Sequence, residues 1–207
     1  MDEPIESFDH QGITVNIYPD EDPHNPRDDD GWLGEMVCFH GRYNLGDKDA
    51  SRRYDPHDYS GWDALEETVV GKRDIALPLY LYDHSGLRMK VGPFQGLLPQ
   101  GHAEFDSGQV GWIVARPDAI RQQFGVGWRR DREAQQQLTE KVCKRLASEV
   151  EVYDSYISGD CYGYVLVDQE GNTLDSCFGY IGIKDVRAEA KQAAEHAAGH
   201  LAASYSV

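Results

Sequence analysis

The chain has 207 residues, of which 40% are hydrophobic, 27% charged and 11% aromatic. That is enough for one sizeable core, and it excludes an intrinsically disordered chain. The formal net charge is -16, and residues 1–31 hold ten Asp or Glu against the single Arg27. Such a charge repels nucleic acid and acidic membranes and attracts basic protein surfaces. No apolar run approaches the length of a membrane span. The acidic start is the opposite of a secretory signal, so a cytoplasmic location and reduced cysteines are expected.

Taken in order, residues 12–18 alternate Ile13, Val15 and Ile17 with polar neighbours, the pattern of a half-buried strand. Residues 19–31 hold three prolines and no apolar side chain, and read as a loop. Residues 35–40 form the next strand, around Met36-Val37-Cys38-Phe39. Residues 41–74 lack sustained periodicity, apart from a short helix expected over 62–70 and capped by Ser60 or Asp63, with Gly71 at its end. Residues 75–82 and 87–91 read as a hairpin across Asp83-His84-Ser85-Gly86. Residues 92–104 read as a loop, and 109–115 as a strand around Trp112. Pro117 then opens a short helix to Phe124.

Residues 131–157 give the strongest helical signal, because Leu138, Val142, Leu146, Val150, Tyr153 and Ile157 recur every three or four positions. A hairpin follows over 162–167 and 173–181. An alanine-rich helix closes the chain over 184–204, with an apolar stripe of Val186, Ala190, Ala193, Ala197 and Leu201. The expected fold is a single α+β domain. Its sheet is mostly antiparallel, with the long amphipathic helix and the C-terminal helix packed on it.

Side-chain chemistry concentrates at the predicted strand ends. His40, Asp83, His84 and Asp106, with His102, would form a His/Asp cluster if the strand ends converge, and such a cluster suits a divalent metal or general acid–base work. Turn formation accounts equally well for Asp83, Ser85 and Gly86. His196 and His200 are four apart on the last helix. The zinc-protease pattern needs Glu directly after the first His, where Ala197 stands, so two solvated histidines are expected and no metal.

Cys38, Cys143, Cys161 and Cys177 contain no C-x-x-C pair. Asp106-Ser107 and Asp175-Ser176 lack the G-x-S-x-G elbow of a serine nucleophile. A dinucleotide-binding glycine fingerprint is also missing. Arg129, Arg130, Arg132, Lys141, Lys144 and Arg145 form the basic concentration of the chain.

The run Asn25-Pro26-Arg27, then Leu33 through Asp47 (Leu-Gly-Glu-Met-Val-Cys-Phe-His-Gly-Arg-Tyr-Asn-Leu-Gly-Asp), resembles a family of uncharacterised bacteriophage-encoded proteins. Tyr82-Asp83-His84-Ser85-Gly86, Phe105 through Gly111, Tyr162-Gly163-Tyr164 and Asp175-Ser176-Cys177 belong to the same pattern, which spans about residues 25–183. The resemblance implies an accessory product acting in the host cytoplasm, and it carries over no catalytic role.

The leading expectation is a non-enzymatic protein without cofactor that binds a host or defence protein through a basic surface on that partner. Asp20, Glu21, Asp22, Asp28, Asp29 and Asp30 would present carboxylates in imitation of nucleic-acid phosphates. The alternative is a small metal-dependent or acid–base enzyme using His40, Asp83, His84 and Asp106. A plainer possibility is a structural protein whose acidity serves solubility.

Overall fold

The computed structural model describes residues 3–97, 105–128 and 131–204. In chain order the elements are β1 (Glu6–His10), β2 (Ile13–Pro19), β3 (Gly34–Cys38), α1 (Trp62–Val69), β4 (Ile75–Asp83), β5 (Leu87–Val91), β6 (Ser107–Ala115), α2 (Pro117–Phe124), α3 (Arg132–Ile157), β7 (Cys161–Val167), β8 (Thr173–Ile181) and α4 (Ile183–Ser204). The fold is α+β, and every strand pairing is antiparallel. The chain forms two compact units. Residues 1–24 and 155–207 make one, and residues 25–154 make the other. The second unit is thus an insertion between β2 and β7 of the first.

The first unit is a four-stranded sheet, ordered β1-β2-β7-β8, with α4 laid on it. Ile13, Val15 and Ile17 point to the buried side, as their alternation dictates, and meet Tyr164 and Leu166 of β7. The helix contributes Val186, Ala190 and Ala194, all fully buried, while Ala193, Ala197 and Leu201 flank them. Small side chains let the helix lie close to the strands. Gln11 and Gly12 both take left-handed backbone (φ 54° and 78°). That conformation closes the two-residue turn joining β1 to β2. At the other hairpin the Asp168 carboxylate accepts the N–H groups of Glu170 and Asn172, 2.9 and 2.8 Å away. Its bonds to Asn172 hold this carboxyl below its ordinary range.

The second unit has the strand order β3-β6-β4-β5. β6 lies inside this sheet, and Trp112, Ile113, Val114 and Ala115 are all buried. Leu65 and Val69 of α1 pack on Val37, Trp112 and Val114. Gly34 lies against Ile113 and against Leu146 of α3, and a Cβ there would overlap both. The α1 helix ends one residue earlier than expected, at Val69. Neither Ser60 nor Asp63 caps it, since its N-cap is Gly61 and no side-chain bond is made there. The N–H of Gly71 instead donates to Asp74 (2.7 Å), so Gly71 belongs to the following turn.

An ion network is buried in this unit. The Arg27 side chain is 1% exposed and binds Asp47 through both carboxylate oxygens, Nε to Oδ1 at 2.5 Å and Nη2 to Oδ2 at 2.8 Å. Its Nη2 also donates to the Gly34 carbonyl. Nη1 lies 3.6 Å from Oε2 of Glu149, whose side chain is also 1% exposed. Glu149 accepts the N–H groups of Leu33 and Gly34 at 2.8 and 3.0 Å, and Arg145 Nε at 3.0 Å.

Removing one member of a buried ion pair strands the other charge, a loss of about 3–5 kcal/mol. Glu149→Gln is therefore expected to lower the unfolding free energy by about 3 kcal/mol in urea titrations. Arg145→Ala removes a half-exposed partner and should cost less than about 1 kcal/mol. Equal losses for the two variants would mean that the buried charges do not carry the stability.

Candidate functional site

The site grows from the end of β3. The Phe39 N–H still pairs with the Val110 carbonyl (2.6 Å), and the chain then turns at His40. His40 Nδ1 accepts the N–H groups of both Arg42 and Tyr43, each at 3.3 Å. With Nδ1 occupied as an acceptor, the proton of the neutral ring sits on Nε2. The ring stacks on Tyr43, with centroids 5.0 Å apart. Opposite, residues 51–65 run through two 3-10 turns, Ser51–Arg53 and Pro56–Asp58, into α1. Asp55 caps the second turn by accepting the His57 N–H at 3.0 Å.

These segments place aromatic rings together. Phe39 is flanked edge-on by Tyr54 at 6.5 Å and by Trp62 at 6.3 Å. Trp62 in turn meets the buried Trp112 at 5.2 Å. They line a groove of about 610 Å³ with His40, Tyr43 and His57 on its walls. Trp62 remains 40% exposed despite its size. From Tyr54 to Glu67 the chain carries Asp55, Asp58, Asp63, Glu66 and Glu67, all exposed, and no Lys or Arg. Arg52 on the groove wall is already paired with Asp49 at 2.5 Å, and Arg42 is paired with Asp83. The result is an aromatic groove one of whose segments, residues 54–67, is acidic in sequence.

Of the His/Asp residues expected from sequence, His84 and Asp106 meet directly, while His40 is linked to Asp83 by way of Tyr43. Tyr43, stacked on His40, reaches Asp83 through its hydroxyl at 3.5 Å. His84 Nδ1 lies 3.1 Å from Asp106 Oδ2. The Asp83 N–H donates to the Asp106 carbonyl at 2.9 Å, which ties the two sets at the backbone. Among the described residues no three His, Cys, Asp or Glu side chains converge as a metal site. Arg129, Arg130 and residues 98–104 of the loop expected over 92–104, His102 among them, lie outside the described residues.

The six carboxylates singled out for binding divide between the units. Asp20, Glu21 and Asp22 border a recess with Tyr18 and Phe178 in the first unit. Asp28, Asp29 and Asp30 border another with Trp32 and Arg116 in the second. Periodicity missed the groove, because Phe39, Tyr54, His57 and Trp62 sit in a stretch without a regular repeat. The usable signal was the aromatic content of an otherwise polar segment, with Tyr43, Tyr54, Tyr59 and Trp62 recurring between turns. Comparison of the chain with protein-family models, curated proteins and solved structures finds no match.

Cys38 also borders the groove, but its thiol is pushed up to about 12, chiefly by burial and further by the Asp47 carboxylate. It is therefore protonated, and poor as a nucleophile, at neutral pH. Thiol titration of the native protein with a disulfide reagent should label the exposed Cys177 first. Cys38 and Cys161, both buried, should wait for unfolding. Rapid labelling of Cys38 at neutral pH would contradict this assignment.

Proposed function

We propose that this protein is a non-enzymatic binding protein that takes a basic segment of a partner protein into the aromatic groove. The observation that carries this reading is the exposed Trp62 beside Phe39 in the groove, on a segment that also carries five exposed carboxylates, Asp55, Asp58, Asp63, Glu66 and Glu67. A guanidinium or ammonium group over such a ring gains about 0.5–2 kcal/mol, more as water is excluded. The aliphatic stem of the same side chain would cover the apolar floor. The net charge of -16 attracts the basic segment from a distance, beyond what the groove itself contributes.

On the resemblance to phage-encoded proteins, the partner is a host or defence protein with a nucleic-acid-binding surface. Asp20, Glu21, Asp22, Asp28, Asp29 and Asp30 then add to the attraction as phosphate-like charges. The acid–base enzyme reading rests on the His40–Tyr43–Asp83 contacts along the same wall.

Labelled 12-residue peptides of basic, neutral and acidic composition, titrated by fluorescence anisotropy, test the proposal. The basic peptides should bind, and binding should weaken steeply with salt. Trp62→Ala should lower affinity about tenfold, the equivalent of 1.4 kcal/mol. Neutralising the six N-terminal carboxylates should flatten the salt dependence. Equal binding of acidic and basic peptides, or full affinity in Trp62→Ala, would reject the groove as the binding site.

A further inference from the structure

We propose that His196 and His200 on α4 form a chelating site for a late first-row divalent transition ion. The site lies in the first unit and is independent of the aromatic groove. Their four-residue spacing places both imidazoles on one face of the helix. Glu189 and Gln192 precede them on that face at helical steps. All four border a recess of about 560 Å³, which Leu174 and Asp175 of β8 and Ala193 also line.

The geometry of the two rings is what points to a cation. Their Nε2 atoms are 3.2 Å apart, with ring planes 75° to one another and centroids at 4.4 Å. Two imidazole nitrogens bound to one tetrahedral ion at about 2.0–2.1 Å must lie about 3.3 Å apart. The two nitrogens share a hydrogen bond, and an ion can take the place of the shared proton at nearly the same separation. The Asp175 and Glu189 carboxylates make the recess favourable for positive charge.

Paired imidazole donors select Ni²⁺, Cu²⁺ or Zn²⁺ over Mg²⁺ and Ca²⁺, which require oxygen donors. Since no third His, Cys, Asp or Glu among the described residues joins the pair as a metal cluster, water completes the coordination. Ala197 stands where a metalloprotease helix would carry its catalytic Glu. The site accordingly binds an ion without activating water for hydrolysis.

Isothermal titration with Ni²⁺ tests the assignment. All proteins would carry Cys177→Ser, so that this exposed thiol cannot supply the signal. The full chain should bind about one equivalent at neutral pH. His196→Ala and His200→Ala should each weaken binding at least about tenfold, 1.4 kcal/mol or more. His10→Ala, which removes the partner of Glu195 on the same helix, should leave binding unchanged. Mg²⁺ should give no heat. Retention of full Ni²⁺ affinity in the doubly substituted His196→Ala, His200→Ala protein, shown folded by circular dichroism, would overturn the proposal. Absence of binding to the parent chain would do so equally.

Discussion

The buried guanidinium of Arg27 fixes the second unit. It is held by Asp47 on one side and faces Glu149 on the other, and it also takes the Gly34 carbonyl. Burying these charges is costly unless every lone pair and proton finds a partner. The N–H groups of Leu33, Gly34 and Met36 largely meet that demand, two on Glu149 and one on Asp47. Three stretches distant in sequence are thereby tied together: residues 25–34, the turn at Asp47 and the middle of α3. The segment between Gly34 and Asp47 is anchored at both ends. His40 and Tyr43 lie within it, so the wall of the aromatic groove inherits its position from the ion network.

This arrangement gives a physical content to the sequence signature in residues 25–47. Asn25 accepts the Arg27 N–H and opens a 3-10 turn. The Pro26 carbonyl receives the Trp32 indole N–H at 2.7 Å, and Arg27 lies over that indole at 4.8 Å. Gly34 leaves room for Ile113 and Leu146. Gly46, with φ at 76°, donates its N–H to the Tyr153 hydroxyl. Asp47 closes the set. These residues specify a fold.

Local pattern made β2 and the two longer helices visible in the sequence, because each has one buried face and the period of its element. β1 escaped notice for a specific reason. In Glu-Ser-Phe-Asp-His only Phe8 is apolar, as suits an edge strand with one half-buried face. The division into two sheets was invisible because β2 pairs with β7 across the whole inserted unit. The role of Arg27 was hidden by its acidic neighbours, which made it look like a solvated counter-ion. Glu149 did leave a trace. It lies three residues after Leu146 and four before Tyr153, a charge on the apolar face of a helix, and such a position needs a buried partner. The His/Asp residues were legible as strand ends, but the aromatic groove was not, since packing rather than periodicity assembles it.

The distribution of ion pairs decides what a partner meets at the surface. Many of the basic side chains are spent internally. Arg88 grips Asp154, Arg116 binds Asp74 and Glu35, Arg53 also takes Glu35, and Arg187 takes Glu6. With 36 acidic residues against 20 Lys and Arg, each such pairing leaves the excess on other carboxylates. Part of that excess lies along residues 54–67, the segment that also carries the exposed Trp62. On the binding reading proposed above, the negative charge at long range and the Trp62 ring at short range would both favour a cationic side chain.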